Sequence, residues 1–254
     1  MNLKEQREKI LSGQMYNDLT NELVKAREDA VYLTNEYNAS YGKPTKERET
    51  ILKKLLKSIG EGVYFEPNFR CEFGYNITIG NNFYANFDCV MLDGGGIEIG
   101  DNVLLGPRVG IYTSNHAIDA WQRAHGACYA KPVKIGNNVW IGGGVQINQG
   151  ITIGDNTIIG SGSVITKDIP ANVIAAGVPC KVIRKITDAD KTNYKPLEKR
   201  KCIIKTHFLF IYLLLRLPMP INCRILKKIF KKSKYNCNAM KIAILSCATT
   251  EPSD

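Results

Sequence analysis

At 254 residues with 44% hydrophobic side chains, the chain can hold one or two domains around a sizeable core and has the composition of a soluble protein. Its net charge of +10 is local: residues 200–254 hold 11 of the 34 Lys and Arg but only two of the 24 acids, so the remaining body is nearly neutral and offers nothing for nucleic acid. Eight cysteines, at 71, 89, 128, 180, 202, 223, 237 and 247, show no CxxC and no companion histidine, which argues against a metal site and a disulfide framework; MNLKEQREKILSG has no apolar core of a secretory signal, so a cytoplasmic setting is expected.

Residues 3–60 read as helical. Ile10, Leu11, Met15, Leu19, Leu23 and Val24, then Ala30, Val31, Leu33 and Tyr37, recur at three- and four-residue spacing. Another helix has Pro44-Thr45 as its N-cap and Gly60 as its C-cap, with Ile51, Leu52, Leu55, Leu56 and Ile59 as its apolar stripe. Residues 1–60 are thus expected to form a helical cap over one end of the domain C-terminal to them, leaving polar residues such as Asp18 in solvent.

From Tyr75 the pattern changes to a period of six. It runs through Ile77-Thr78-Ile79-Gly80, Phe83 to Asn86 and Cys89-Val90-Met91, slips by two at Asp93-Gly94-Gly95-Gly96, and resumes at Ile99, Leu105 and Ile111. Between Val133 and Asp168 isoleucine falls at 135, 141, 147, 153, 159 and 165 without a miss. Such a period fits neither an isolated helix nor a strand. It marks short parallel strands joined by tight turns and stacked as the walls of a β-helix, with one aliphatic residue in six pointing inward. Gly, Asn and Asp beside it supply the backbone angles that the corners need. Residues 114–131 (SNHAIDAWQRAHGACYAK) carry no repeat and read as a loop thrown out from one corner. Because 24 residues separate Ile111 from Ile135, the loop leaves the register intact. The expected domains are the cap (1–60), the β-helix (61–186) and a linker with a C-terminal extension (187–254).

Beyond the repeat, Pro170 and Pro179 suit a chain that leaves the last coil and turns back. The longest apolar run of the extension, Phe208–Leu215, is too short for a bilayer, which needs about 20 residues. Beside the basic ILKKIFKKSKY (225–235) it makes 203–235 a candidate for peripheral membrane contact, or else an appendage packed on the body.

Only three histidines are present, and His116 stands where the repeat gives way to its one large loop. An imidazole, with an ordinary pKa of about 6.5, is a general base near neutral pH, a role worth roughly 10²–10⁴ in rate. No GxSxG, Walker loop, GxGxxG or HExxH occurs, and Gly94-Gly95-Gly96 is read as a turn.

The hexapeptide frame, the histidine in SNHAID and the run IGNNVWIGGGVQINQGITIGDNTIIGSGSVITKDIPANVIAAGVPCKVIRKI together resemble the hexapeptide-repeat acyltransferases. FRCEFGYNITIGNNFYANFDCVMLD (69–93) and REKILSGQMYNDL (7–19) are similar, more specifically, to maltose O-acetyltransferases and their galactoside O-acetyltransferase relatives. The likeness covers residues 5–186 and leaves 200–254 unmatched. It implies a left-handed parallel β-helix assembled as a homotrimer, with acetyl-CoA as co-substrate in clefts between adjacent prisms, a small sugar as acceptor, no bound cofactor and no metal. It casts His116 as the base and the Gly143 N–H as the oxyanion donor. It places Asp18, Asn86 and Asp93 at the acceptor, with Glu72 at another acceptor-side position. Ser161, Thr166, Lys167, Lys181 and Arg184 fall, with Gly143, where relatives hold CoA. Relatives carry a glutamate in the loop matching Gly126–Pro132, and this chain has no acid there. The alternatives are the same chemistry on a polysaccharide precursor, or a non-catalytic scaffold whose basic tail binds a membrane or partner.

Overall fold

The computed structural model describes residues 1–196, most of which lie in a compact unit, Met1–Lys191. The expectations for 203–235 lie outside the described residues. The N-terminal segment forms helix α1 (Leu3–Leu11), a two-residue strand β1 (Tyr16–Asn17), helix α2 (Asn21–Ala39) and helix α3 (Thr45–Leu55). α1 starts at a complete capping box, Asn2 and Glu5 exchanging backbone hydrogen bonds. α3 starts where expected and departs from the expectation only at its C-terminal end. Pro44, which has no side-chain donor or acceptor, sits at its N-cap, and the helix stops at Leu56, so Gly60 belongs to the first coil rather than to a helix terminus.

Five coils stack on this segment. They comprise β2 (Ser58–Ile59), β3 (Tyr64–Phe65) and β4 (Arg70–Cys71); β5 (Ile77–Ile79), β6 (Tyr84–Ala85) and β7 (Val90–Leu92); β8 (Ile97–Ile99), β9 (Leu104–Leu105) and β10 (Gly110–Tyr112). The third coil is interrupted by β11 (Ser114–His116), helix α4 (Ala120–Ala124) and β12 (Ala127–Ala130). After it come β13 (Val133–Ile135), β14 (Trp140–Ile141) and β15 (Gln146–Ile147), then β16 (Thr152–Ile153), β17 (Ile158–Ile159) and β18 (Val164–Ile165). An antiparallel pair, β19 (Val173–Ala176) and β20 (Lys181–Lys185), closes the stack.

The strands stack into three faces. Face one holds β2, β5, β8, β13 and β16; face two holds β3, β6, β9, β14, β17, β19 and β20; face three holds β4, β7, β10, β15 and β18. Pairing within the coils is parallel, as the six-residue period requires, and Ile99 lies opposite Ile135 across the loop, so the register is preserved. The solenoid starts one coil earlier than the isoleucine pattern suggests, because Phe65 and Cys71 fill the inward positions of the first coil. Inward isoleucines from Ile77 to Ile165 and Phe65, Phe69 and Phe83 at the capped end form one continuous core. Each fully buried aliphatic side chain contributes about 1.5–3 kcal/mol.

Two devices turn the corner between faces one and two. The asparagine of each Gly-Asn/Asp-Asn run takes the left-handed conformation: φ is 55–56° at Asn82, Asn102, Asn138 and Asn156. Their side chains form a ladder, each Nδ2 donating to the next Oδ1 at 3.0 Å, from Asn82 to Asn172. The neighbouring glycine is there for closeness, not for an unusual angle: a Cβ on Gly100 would lie 2.9 Å from the Gly136 backbone of the next coil.

The corner from face three to face one is where the site is built. In the first two coils it carries two extra residues, so Ile59, Ile79 and Ile99 recur at intervals of twenty, against eighteen from Ile135 to Ile153. In the third coil the same corner opens into the loop. Residues 114–131 leave after Thr113 and return at Lys131, whose N–H donates to the Thr113 carbonyl at 2.9 Å.

Candidate active site

The loop is a hairpin. β11 and β12 pair antiparallel with Ser114 opposite Ala130, Asn115 opposite Tyr129 and His116 opposite Cys128. β1 adds a third strand, with Tyr16 opposite Cys128 and Asn17 opposite Ala127. Residues 16–17 are therefore a strand and not a turn of helix, and they tie the N-terminal segment to the loop. The register sets Tyr16, Cys128 and His116 in one row across the sheet, close enough for their side chains to meet. Cys128 Sγ lies 3.0 Å from His116 Nδ1. Among the described residues no hydrogen bond engages Nε2, and His116 is exposed.

Polar groups converge behind this row. Arg27, on α2, donates to Asp18 Oδ1 and to the Asp18 carbonyl, both at 2.7 Å, and stands 3.7 Å from Glu72. Glu72 Oε2 accepts from the Ser114 hydroxyl at 3.1 Å. Asp18 is thus held by Arg27 beside the hairpin, its N–H donating to the Gly126 carbonyl at 2.8 Å, in place of the solvated helix position that periodicity suggested. Burial raises the Glu72 carboxyl to about 7, assisted by the Asp93 and Asp18 charges and opposed by Ser114 and Arg27. Burial likewise pushes the Cys128 thiol up to about 11, with Asp18 and Glu72 adding to the effect and Arg27 opposing it. Tyr16, whose buried hydroxyl has no hydrogen-bond partner among the described residues, is raised too, by burial and then by Glu72. Gly94 leaves the space these groups use: a Cβ there would reach Ser114 Oγ and come within 3.4 Å of Glu72 Oε2 and 3.6 Å of the Tyr16 hydroxyl.

Asp93, expected at the acceptor, sits inside the wall of the single chain. It is fully buried, and its carboxylate accepts backbone N–H groups from Phe73 (2.8 Å), Gly74 (3.0 Å) and Asn76 (3.2 Å). Those bonds pin the enlarged corner of one coil onto that of the next and hold the side chain in the wall beneath Glu72. Asn86 sits at the end of β6 on face two, where its side chain accepts the Phe87 N–H at 2.8 Å; no hydrogen bond joins it to the Asp18 cluster.

Gly143 lies in the turn after β14, stacked on Pro107 of the coil below; a Cβ would meet the proline ring at 3.2 Å. The flanking amides are used, Gly142 N–H donating to Ile159 O and Gly144 N–H to Pro107 O, both at 2.8 Å. The Gly143 N–H has no acceptor among the described residues. Ser161 occupies the same corner one coil on, and Thr166 and Lys167 are exposed at the end of β18. Lys181 and Arg184 project from β20; the Arg184 fork is held by Asp190 through bonds of 2.6 and 2.8 Å. The described residues hold no group of three His, Cys, Asp or Glu placed to ligate a metal.

Sequence reasoning did not single out Arg27, Ser114 or Cys128. The available signal was the pair of short β-prone runs flanking α4, Ser114–His116 and Ala127–Ala130, whose pairing sets His116 against Cys128.

Residues 132–167 match the bacterial transferase hexapeptide (six repeats) family model, and residues 9–60 match the maltose acetyltransferase hexapeptide capping motif. The chain is 45% identical over 187 residues to the galactoside O-acetyltransferase of Escherichia coli K12, covering 74% of this chain and 92% of that protein. It is similar to the crystal structure of a maltose O-acetyltransferase from Clostridium difficile 630, at 53% identity and a TM-score of 0.70, covering 74% of this chain and 99% of the other. A galactoside acetyltransferase in complex with coenzyme A aligns at 43% identity and a TM-score of 0.70, covering 76% and 97%.

Proposed function

The chain belongs to the maltose and galactoside O-acetyltransferase family of hexapeptide-repeat proteins, and on that footing we propose that it transfers the acetyl group of acetyl-CoA to a sugar hydroxyl with His116 as general base. One observation carries this reading. His116 stands at the mouth of the loop hairpin with Nδ1 turned to Cys128 and Nε2 uncommitted, in front of the Asp18–Arg27–Glu72–Ser114 cluster. Nε2 takes the hydroxyl proton as the sugar oxygen attacks the thioester carbonyl. The Gly143 N–H, without an acceptor among the described residues, suits the oxyanion of the tetrahedral intermediate. Collapse breaks the C–S bond, and the imidazolium returns the proton to the departing CoA sulfur. Paired carboxylates, an amide and a hydroxyl are groups that hold sugar hydroxyls, so Asp18, Glu72 and Ser114 on one side and Asn86 on the other are the acceptor contacts. Ser161, Thr166, Lys167, Lys181 and Arg184, with Gly143, are the CoA contacts, the cations facing its phosphates; Arg184 must share its fork with Asp190 or leave it.

A homotrimer supplies the rest of the cleft in this proposal. The outward residues of face one, Ser58, Thr78, Glu98, Lys134 and Thr152, are of the kind that meets water. Those of face two form a stripe of Tyr64, Tyr84, Leu104, Trp140, Ile158 and Ile174, and Leu104 and Trp140 are about half exposed in the single chain. A stripe of that size suits burial against an adjacent prism. The test of the activity is acetyl-CoA consumption with maltose, glucose, galactosides and an amino-alcohol panel. Ester formation with one sugar class supports the proposal; consumption with none of them favours a scaffold.

A further inference from the structure

His116 and Cys128 are directly opposed residues of a two-stranded hairpin, with Tyr16 on the far side of Cys128. We propose that Cys128 is a positioning residue for catalysis: its sulfur accepts the Nδ1–H of His116, fixing the ring plane and the tautomer that leaves the Nε2 lone pair for the acceptor hydroxyl. This rests on the reading of His116 as the base.

The geometry supplies three supports. The Sγ–Nδ1 distance of 3.0 Å is within contact for a sulfur hydrogen bond. Cys128 is 2% exposed and held from its other side by β1, so it is a fixed post against which an exposed imidazole can be set. Among the described residues no carboxylate takes that place. The charged and titratable groups around the pair are Asp18 after β1, Arg27 on α2, Glu72 after β4, Asp93 after β7 and the Tyr16 hydroxyl. Among the described residues none of them hydrogen-bonds to the His116 ring. His125, at the end of α4, is turned to the Trp121 carbonyl.

The thiol, pushed up to about 11, keeps its proton at neutral pH, so two arrangements compete. If S–H donates to Nδ1, the ring proton sits on Nε2 and the base is blocked. If Nδ1–H donates to sulfur, with the thiol proton turned away, Nε2 is free; only this arrangement allows the transfer. The tautomer held by a partner of the second nitrogen is a known determinant of histidine bases. A neutral sulfur orients the ring but does not neutralise the imidazolium formed when the hydroxyl proton arrives. A carboxylate at 128 would do both.

The test is the pH dependence of kcat/KM for Cys128→Ala, Cys128→Ser and Cys128→Asp, with His116→Ala in parallel. The expected result for Cys128→Ala is a loss of about tenfold in kcat with KM for acetyl-CoA unchanged, a fraction of what the base supplies. Cys128→Ser keeps most of the activity, because its oxygen accepts the same bond. Cys128→Asp moves the acid limb of the profile up by about one pH unit, the direction an opposite charge beside an imidazolium imposes. Wild-type kcat in Cys128→Ala, or coincident acid limbs in the Ser and Asp variants, overturns the positioning role while an inactive His116→Ala keeps the base. Wild-type turnover in His116→Ala overturns the base, and this inference with it. Should Cys128→Ala not fold, the Ser–Asp comparison decides alone.

Discussion

Glu72 shows most plainly what burial does to a single side chain in this site. Its side chain is 11% exposed, it borders Asp93 and Asp18, and its carboxyl is raised from 4.5 to about 7. Below pH 4.5 the carboxyl is protonated in both folded and unfolded chains, and no stability is lost. Between 4.5 and 7 the unfolded chain sheds its proton while the folded one retains it, so stability falls with rising pH. Above 7 the deficit is constant, on the order of 3 kcal/mol for a shift of this size. Glu72→Gln is therefore expected to melt at a higher temperature than the parent at pH 8 and at the same temperature at pH 4.5, measured by thermal unfolding across that range. Single residues are also where the sequence is least complete as a guide. His116 was legible because it interrupts a strict repeat. Cys128 and Arg27 were not: Cys128 is one of eight unremarkable cysteines and Arg27 one of many helical cations, and only the fold sets Cys128 against the imidazole and Arg27 against Asp18.

At the scale of elements, the enlarged corner between faces three and one decides where the site lies. The slip of two residues at Asp93–Gly96 was readable as spacing, and so was the loop that leaves the same corner one coil later. What spacing could not reveal is that Asp93 ties one enlarged corner to the other through three backbone N–H groups. Thr113 continues the tie, its hydroxyl accepting from Gly95 N–H at 2.8 Å and donating to Leu92 O at 2.6 Å. Orphaning a buried N–H costs about 1–3 kcal/mol, offset in part by removing a buried acid. Asp93→Ala is expected to lose on the order of 3 kcal/mol in urea unfolding, and Asp93→Asn less, because its carbonyl oxygen still serves Phe73 and Gly74. An Asp93→Ala variant of unchanged stability would show that these bonds do not hold the corners together. The hairpin shows a different limit. β1 pairs with β12 across more than a hundred residues, and a two-residue strand with no periodicity leaves no local trace, so the first segment read as helix throughout. Helix periodicity was a sound guide only where a full apolar face packs, as in α2 and α3.

For the whole molecule, the repeat was legible almost to the residue from Ile77 onward, because each inward isoleucine answers to one in the next coil. The start of the solenoid was less legible, since Phe65 and Cys71 do the work of isoleucine there. Relatives of which more than nine-tenths is covered align with about three quarters of this chain, and the unit Met1–Lys191 contains every residue assigned to the reaction. A truncation after Lys191 is accordingly expected to sediment in the parent's oligomeric state and to acetylate at the parent's rate; a smaller assembly or an inactive product would make the extension part of the working fold. In the proposed reaction a β-helix corner presents His116 as the base for acetyl transfer to a sugar. The most direct measurement of that role is the single-turnover rate of sugar ester formation by His116→Ala, beside calorimetric binding of CoA to the same variant. The predicted result is a loss of roughly 10²–10⁴ in rate with CoA affinity unchanged; ester formation at the parent's rate would contradict that role.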